Sequence, residues 1–279
     1  MIKINNRIVD VKKFPDGTLL LKEHPSYYFE FNPFVFSLRG DITFTWLFES
    51  NEELVTLIYL TQHLRSHGFN NIHLKMPYIP NARQDRVKGG ADVFTLKYFA
   101  QVINWLGFST VTVLDPHSSV GEALIDRVVV ETPEQLIRSV VNKLTAFEDE
   151  APLMAFYPDE GAMKRYSGML TMPYAFGIKK RDWATGTIEG LDIAGMTEKI
   201  AGSRILIVDD ICSRGGTFYH SAKKLKELGA KEVYLFVTHC ENTILEGELL
   251  TSGLIEKIYT TNSIFTKEHE KIEVMNYDA

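Results

Sequence analysis

The sequence predicts an α/β protein of two tandem domains, each a parallel sheet with helices packed on both faces. Three observations predict it. From residue 41 onward, short apolar runs alternate with amphipathic helical stretches, the pattern of parallel strands joined by helical crossovers. Asp115, Asp159 and the pair Asp209–Asp210 each follow such a run, and ligands of open α/β sheets bind at strand carboxyl ends. The length of 279 residues suits two ordinary domains better than one.

Taken in order, residues 1–36 stand outside the alternation and read as a hairpin or short strand pair, including the aromatic segment PSYYFEF at 25–31. Residues 42–47 read as a strand and 52–67 as a helix stopped by Gly68. A strand at 72–75 runs into Pro77, a helix at 94–106 closes at Gly107, and 110–114 is the next strand. The segment 126–130 reads as the crossing between domains 1–130 and 131–279. A helix follows Pro133 to about 146, the acidic patch 148–150 is a loop, and 153–157 and 174–178 are strands. The polar, glycine-containing stretch RDWATGTIEGLD at 181–192 suits a mobile lid. The strand within 204–208 leads to a helix with Phe218, Ala222, Leu225 and Leu228 on one face and Gly229 at its end. Strands at 232–237 and 256–260 complete the reading, the latter as the last.

Composition excludes several classes. With 45% hydrophobic and 24% charged residues, the chain is of the soluble globular type. A net charge of −6 argues against a nucleic-acid surface, though not against small anionic substrates. Two cysteines, Cys212 and Cys240, are too few for a disulfide framework or a zinc site; they read as buried packing residues in a reducing compartment. No apolar run approaches the ~20 residues of a membrane span, and residues 1–10 are not a signal peptide. The expectation is a cytoplasmic protein with no membrane or nucleic-acid partner.

The segment RILIVDDICSRGGT at 204–217 carries the most chemistry. Carboxylates accept hydrogen bonds from ribose hydroxyls, and backbone N–H groups at a glycine turn and helix start bind phosphate. Asp209 and Asp210, with Ser213, Arg214, Gly215, Gly216 and Thr217, therefore form a candidate site for a phosphorylated sugar. An ordinary βα turn with capping aspartates is the alternative. In Arg83-Gln84-Asp85-Arg86 the guanidinium forks suit phosphate oxygens, and a salt-bridged surface turn is the competing reading. Asp115 and His117 share one side of an extended strand, although such a histidine also serves as a cap or core group. Asp159 offers a hard oxygen to Mg²⁺, or else a turn before Gly161.

Six segments occur in one order: MPYIPNARQDRV (76–87), VLDPHSS (113–119), YPDEGAMKR (157–165), IKKR (178–181), VDDICSRGGT (208–217) and VTHC (237–240). Together, over roughly residues 36–264, they resemble the ribose-phosphate pyrophosphokinases, the phosphoribosyl pyrophosphate (PRPP) synthetases. The resemblance implies two phosphoribosyltransferase-type, Rossmann-like domains. It implies transfer of the β,γ-diphosphate of Mg–ATP to the anomeric hydroxyl of a ribose phosphate, with release of AMP. On this resemblance Arg83 and Gln84 contact ATP, with Asp85 and Arg86 following in place, and His117 joins the Mg²⁺–ATP site beside Asp115. Asp159 meets the metal and the ribose, Asp209 and Asp210 hold the 2′- and 3′-hydroxyls, and residues 213–217 wrap a terminal phosphate. Lys179 and Arg181 are the catalytic cations that close over the phosphates as the bond to AMP breaks. Phe14 and Asp16 match residues that reach a neighbouring subunit's adenine pocket, which implies a homo-oligomer, a dimer or higher; a plain turn at 15–17 is at least as good a reading.

Departures are local. Asn81 stands where the family has an aromatic, and Pro116 where it has leucine. Both ends look shortened, which sets the family's hexamer in question. Ser213-Arg214 replaces an Asp-Thr pair, making the loop more positive by two charges: one acid lost, one cation gained. A terminal phosphate carries roughly −1.5 to −2, which an ordinary loop already handles. The surplus fits a second phosphate, as in ADP-ribose, the acceptor of some phage-type members that rebuild NAD with a partner transferase. Ribose 5-phosphate and ADP-ribose both stand open as acceptors. The alternatives are a phosphoribosyltransferase, which breaks a C1 diphosphate bond, and a non-catalytic regulatory homologue. No GxxxxGK[ST] or GxGxxG motif appears.

Overall fold

The computed structural model describes residues 1–28, 40–146, 151–181 and 188–277, without the side chains of 179–181 and 188–191. The chain divides into two compact units, Met1–Glu131 and Thr132–Tyr277.

The first unit opens with β1 (Ile2–Ile4) and β2 (Arg7–Ile8), joined through Asn5 and Asn6 at φ 46° and 67°. Asparagine tolerates this left-handed backbone, as two-residue hairpin turns require. A second hairpin, β3 (Val11–Lys13) with β4 (Leu19–Leu21), stands as its own two-stranded sheet. The alternating core then runs β5 (Ile42–Trp46), α1 (Glu52–Ser66), β6 (Ile72–Lys75), α2 (Thr95–Leu106), β7 (Thr110–Leu114), α3 (Ser119–Leu124) and β8 (Val128–Glu131). The sheet order is β2-β1-β5-β6-β7-β8, with β5 to β8 parallel. Ile42, Phe44, Trp46, Ile72, Leu74, Val111 and Val113 from the strands meet Leu57, Leu60 and Leu64 of α1 and Phe99 and Ile103 of α2 in one apolar core.

Two expectations change here. The N-terminal hairpin does not stand apart: β1 pairs antiparallel with β5, because Ile2 and Ile4 alternate into the core. Segment 126–130 is not a bare crossing but contains most of β8, which pairs parallel with β7; its β-branched valines suit a half-exposed edge.

The second unit runs α4 (Glu134–Leu144), β9 (Leu153–Tyr157), α5 (Glu160–Tyr166), β10 (Tyr174–Arg181), β11 (Ile188–Gly195), β12 (Arg204–Cys212), α6 (Gly216–Glu227), β13 (Glu232–Cys240), β14 (Lys257–Thr261) and β15 (Ile272–Met275). Short 3-10 turns at Thr197–Lys199 and Asn242–Glu246 punctuate it. The sheet order is β11-β10-β9-β12-β13-β14-β15, parallel except for β11. Alternation along β12 builds two cores. Ile205 and Ile207 pack with Phe218, Ala222 and Leu225 of α6, while Leu206 and Val208 pack with Ile137 and Val140 of α4 and Tyr166 of α5. Cys212 and Cys240 are both free thiols buried in the first of these.

Here too the structure corrects the reading. Part of the expected lid is strand: 188–195 form β11, antiparallel to β10, and only 182–187 lie outside the described residues, as does the acidic patch at 148–150. β14 is not the last strand, since β15 follows and pairs with it. Among the described residues no helix is long and apolar enough to cross a membrane.

Candidate active site

The strand order fixes where a ligand can enter the second unit. From β9 the chain passes to β10 on one side, and β12 then returns on the other side of β9. Neighbouring strands whose connections leave in opposite directions open a crevice at their carboxyl ends, the usual ligand position in such sheets. Asp159 follows β9 there, and Asp209 and Asp210 lie near the end of β12.

These carboxylates are under mutual stress. Asp159 is the N-cap of α5, its Oδ1 accepting from Ala162 N at 3.0 Å. Asp210 is 7% exposed and pairs with Arg165 Nη1 at 3.4 Å. Asp209 Oδ1 accepts from Asp210 N at 3.0 Å. Burial, then the charges of Asp210 and Asp159, push the Asp209 carboxyl well above its ordinary range. Three acids crowded at the ends of two neighbouring strands favour a cation or hydroxyl donors among them.

The loop after β12 is braced by a distant segment. Gly215, at φ 79°, caps α6 in the left-handed region. Arg214 Nη2 donates to Glu246 Oε2 at 2.9 Å. Ser213 Oγ lies 3.2 Å from Thr243 Oγ1, which donates to Glu241 Oε2 at 3.2 Å. A Cβ on Gly247 would sit 1.9 Å from the Arg214 carbonyl oxygen, so the two backbones touch there. The first-turn N–H groups of a helix such as α6 have no intrahelical acceptor and can face an anion.

In the first unit, two loops at the ends of adjacent strands come together. Asp85 is 5% exposed and gripped by Arg86, Nε to Oδ1 at 2.7 Å and Nη2 to Oδ2 at 2.9 Å. This fork, helped by the nearby Ser118 and His117, holds the Asp85 carboxyl down at about 2 against the opposing effect of burial. Ser118 acts as a neighbouring dipole, since its buried hydroxyl makes no hydrogen bond of good geometry. The pair stabilises the fold above the ordinary value of 3.8, and that contribution is lost as pH falls from there through about 2. Arg86→Ala should return the Asp85 titration to the ordinary range or above, because burial then acts unopposed. A carboxyl-carbon NMR titration still reading near 2 would show that Arg86 is not the cause.

The other residues fall out as follows. Arg83, Gln84 and Arg86 are exposed, whereas Asp85 faces inward as the anchor of Arg86. Gln84 Oε1 accepts from Thr95 Oγ1 at 2.6 Å. Asn81 adopts φ 65°, a physical reason for asparagine where an aromatic would be strained. Asp115 is buried at φ 44° at the end of β7, and His117 is partly buried just beyond it. Phe14 and Asp16 form a hairpin tip: Asp16 Oδ1 accepts from Thr18 N at 2.9 Å and Thr18 Oγ1 at 2.7 Å, while Phe14 is exposed. Lys179 and Arg181 lie on β10, with a break in register to β11 between Lys180 and Arg181; their side chains fall outside the described residues. Arg165 counts among the cations of the motif segments but carried no assigned role; Thr243, Glu246 and Gly247 were passed over, since they lie some 30 residues from what they brace, with no local pattern to flag them.

Residues 164–248 match the family model of the phosphoribosyl transferase domain. Over 246 residues the chain is 31% identical to the ribose-phosphate pyrophosphokinase of Bacillus caldolyticus, covering 85% of this chain and 75% of that one. The chain belongs to the ribose-phosphate pyrophosphokinase family. As a member of that family it is an enzyme of the diphosphotransferase class. The ribose-phosphate pyrophosphokinase of Thermococcus kodakarensis is 25% identical over 263 residues, 92% of this chain and 86% of that one. Among solved structures, the phosphoribosylpyrophosphate synthetase of Mycobacterium smegmatis shares the fold with a TM-score of 0.77 at 20% identity, over 96% of this chain and 86% of that one.

Proposed function

We propose that the protein transfers the β,γ-diphosphate of Mg–ATP to the anomeric 1-hydroxyl of a 5-phosphorylated ribose, releasing AMP. The carrying observation is the crowding of Asp159, Asp209 and Asp210 at the β9/β12 crevice, one short loop from the start of α6. Asp209 and Asp210 accept hydrogen bonds from the ribose 2′- and 3′-hydroxyls. Ser213, Gly215, Gly216 and Thr217 hold the 5-phosphate through backbone N–H groups and hydroxyls. On the first unit Arg83 and Arg86 grip ATP phosphates, Gln84 offers its amide to the adenine, and Asp85 keeps the Arg86 fork pointed. Lys179 and Arg181 stabilise the charge that builds on the departing AMP oxygen.

The donor set fits Mg²⁺. Among the described residues no three His, Cys, Asp or Glu side chains are arranged to hold a metal by themselves. Mg²⁺ needs no such cage, because it takes one or two carboxylates and completes its shell with waters and phosphate oxygens. In the second unit Asp159, beside Asp209, would hold it near the ribose; in the first unit His117 and Asp115 would offer ligands for an ion carried by the nucleotide. When bound, it neutralises charge on the transferring diphosphate.

One observation supports ADP-ribose as an acceptor alongside ribose 5-phosphate. The Arg214 side chain is 71% exposed and pairs with the exposed Glu246, a weak ion pair that a second phosphate can displace. That acceptor would place the enzyme in NAD metabolism; the other, in nucleotide biosynthesis. Both substrates are cytoplasmic metabolites, and the exposed Phe14 tip suits contact with a second subunit in a homo-oligomer. The test is mass spectrometry of products from ATP with each acceptor. AMP together with an acceptor heavier by one diphosphate is expected; ADP without AMP, or no product from either acceptor, would sink the proposal.

A further inference from the structure

We infer that Glu246 is a built-in counter-ion that competes with acceptor phosphate for Arg214, and thereby sets how well the loop accepts a second phosphate. The inference rests on the proposed role of residues 213–217 as the acceptor's phosphate loop and adds a specificity-determining residue to it.

The fold delivers Glu246 to Arg214 without committing either side chain. Backbone contact is tight: a Gly247 Cβ would lie 1.9 Å from the Arg214 carbonyl, and a Gly215 Cβ would lie 2.9 Å from Leu249 Cδ2. The Ser213–Thr243–Glu241 hydroxyl and carboxylate chain ties the same two segments. The 3-10 turn Asn242–Glu246 therefore cannot drift from the loop, and Glu246 stays within reach of Arg214 at high effective concentration. The ion pair itself is different in kind. Its side chains are 71% and 59% exposed, and such pairs hold weakly.

A single carboxylate is a poor rival to a diphosphate. In ADP-ribose each phosphorus is esterified and carries about one charge with two non-bridging oxygens, so the diphosphate presents about two charges in all and can take the guanidinium fork bidentately. An acceptor with one phosphate can be satisfied by the backbone donors at the start of α6. An acceptor with a second phosphate has to reach Arg214, and to do so it must displace Glu246. In the resting protein the counter-ion thus cancels one of the two charges by which this loop exceeds an Asp-Thr loop, and it selects against weak anions more than against diphosphates.

The test is Glu246→Gln in the full-length protein, read by calorimetric binding of ADP-ribose and of ribose 5-phosphate, and separately by turnover. Affinity for ADP-ribose should rise about two- to fivefold, the range an exposed pair can supply. Ribose 5-phosphate affinity should change less than about twofold. The gain should vanish when the same change is made in an Arg214→Ala background, the double-mutant criterion for a direct coupling. An unchanged ADP-ribose affinity, or an equal gain without Arg214, overturns the inference. Wild type that binds the sugar phosphates yet forms no AMP would refute the pyrophosphokinase reading instead, and normal turnover with a silent Glu246→Gln would remove the counter-ion alone.

Discussion

Asp209→Asn is expected to cut turnover at least a hundredfold while raising the melting temperature. The two effects share one cause. The Asp209 carboxyl is pushed above its ordinary range by burial and by the charges of Asp210 and Asp159. A folded-state value above the unfolded one means that the native state binds more protons than the unfolded state across the interval between them. Stability contributed by protonated Asp209 is present below the ordinary value of 3.8 and is lost as pH rises from there through the raised folded value. At neutral pH the ionised group therefore works against the fold. Asparagine keeps the oxygen that accepts from Asp210 N, at 3.0 Å in the wild type, but removes the charge. Each kcal/mol of relieved repulsion should appear as roughly 2–4 °C in Tm. Under the proposed function, activity should fall because the ribose loses a charged acceptor and the metal a hard oxygen. Thermal melts with and without Mg²⁺ separate these roles, since a ligand of the native state stabilises by mass action. Wild type should gain more from Mg²⁺ than the variant does. A variant that melts lower than wild type, or keeps full turnover, would rule out this account of the site.

The second large effect is expected at Gly247, which touches no substrate in the proposal. Its φ of −93° and ψ of 167° are open to any residue, so alanine faces no conformational bar there. The obstacle is contact: the added carbon would lie 1.9 Å from the Arg214 carbonyl oxygen and 2.9 Å from its carbon. Backbone cannot yield as a flexible side chain can, so the loop at 213–217 must move. Overpacking of this kind costs about 1–3 kcal/mol, and a displacement near 1 Å in a positioning element costs on the order of a hundredfold in rate. Gly247→Ala should thus lose about two orders of magnitude in kcat/KM for the sugar phosphate, with the KM for ATP nearly unchanged. Gly168→Ala is the control, because nothing lies within 4 Å of its added carbon. Equal kinetics for the two variants would mean that the brace does not position the loop.

Much of this architecture was readable in advance, for identifiable reasons. Buried strands announce themselves: residues 205–208 are apolar on both faces because β12 is covered by α6 on one side and α4 and α5 on the other. The acidic pair was legible for the same reason, as charge abruptly ending an apolar run. β11 was not, since an edge strand is defined by backbone pairing, and its apolar residues Ile188, Leu191 and Ile193 are interrupted by Glu189, Gly190 and Asp192. α3 and α5, at 6 and 7 residues, are too short to show a helical period. The adjacency of Asp85 and Arg86 invited both readings, phosphate grip and salt-bridged turn. The geometry contains the salt bridge and leaves the Arg86 side chain 63% exposed beside it, so the two are compatible. The brace on the phosphate loop had no local signature at all.

That brace also orders events in time. Ser213 and Arg214 meet partners 30 and 32 residues later, with α6 and β13 between them in the sequence. Contacts closing so wide a loop form late compared with helices and neighbouring turns. During refolding, helical signal should therefore return before catalytic competence, and a nascent chain released before residue 247 would carry every acidic group of the crevice without a settled anion cradle.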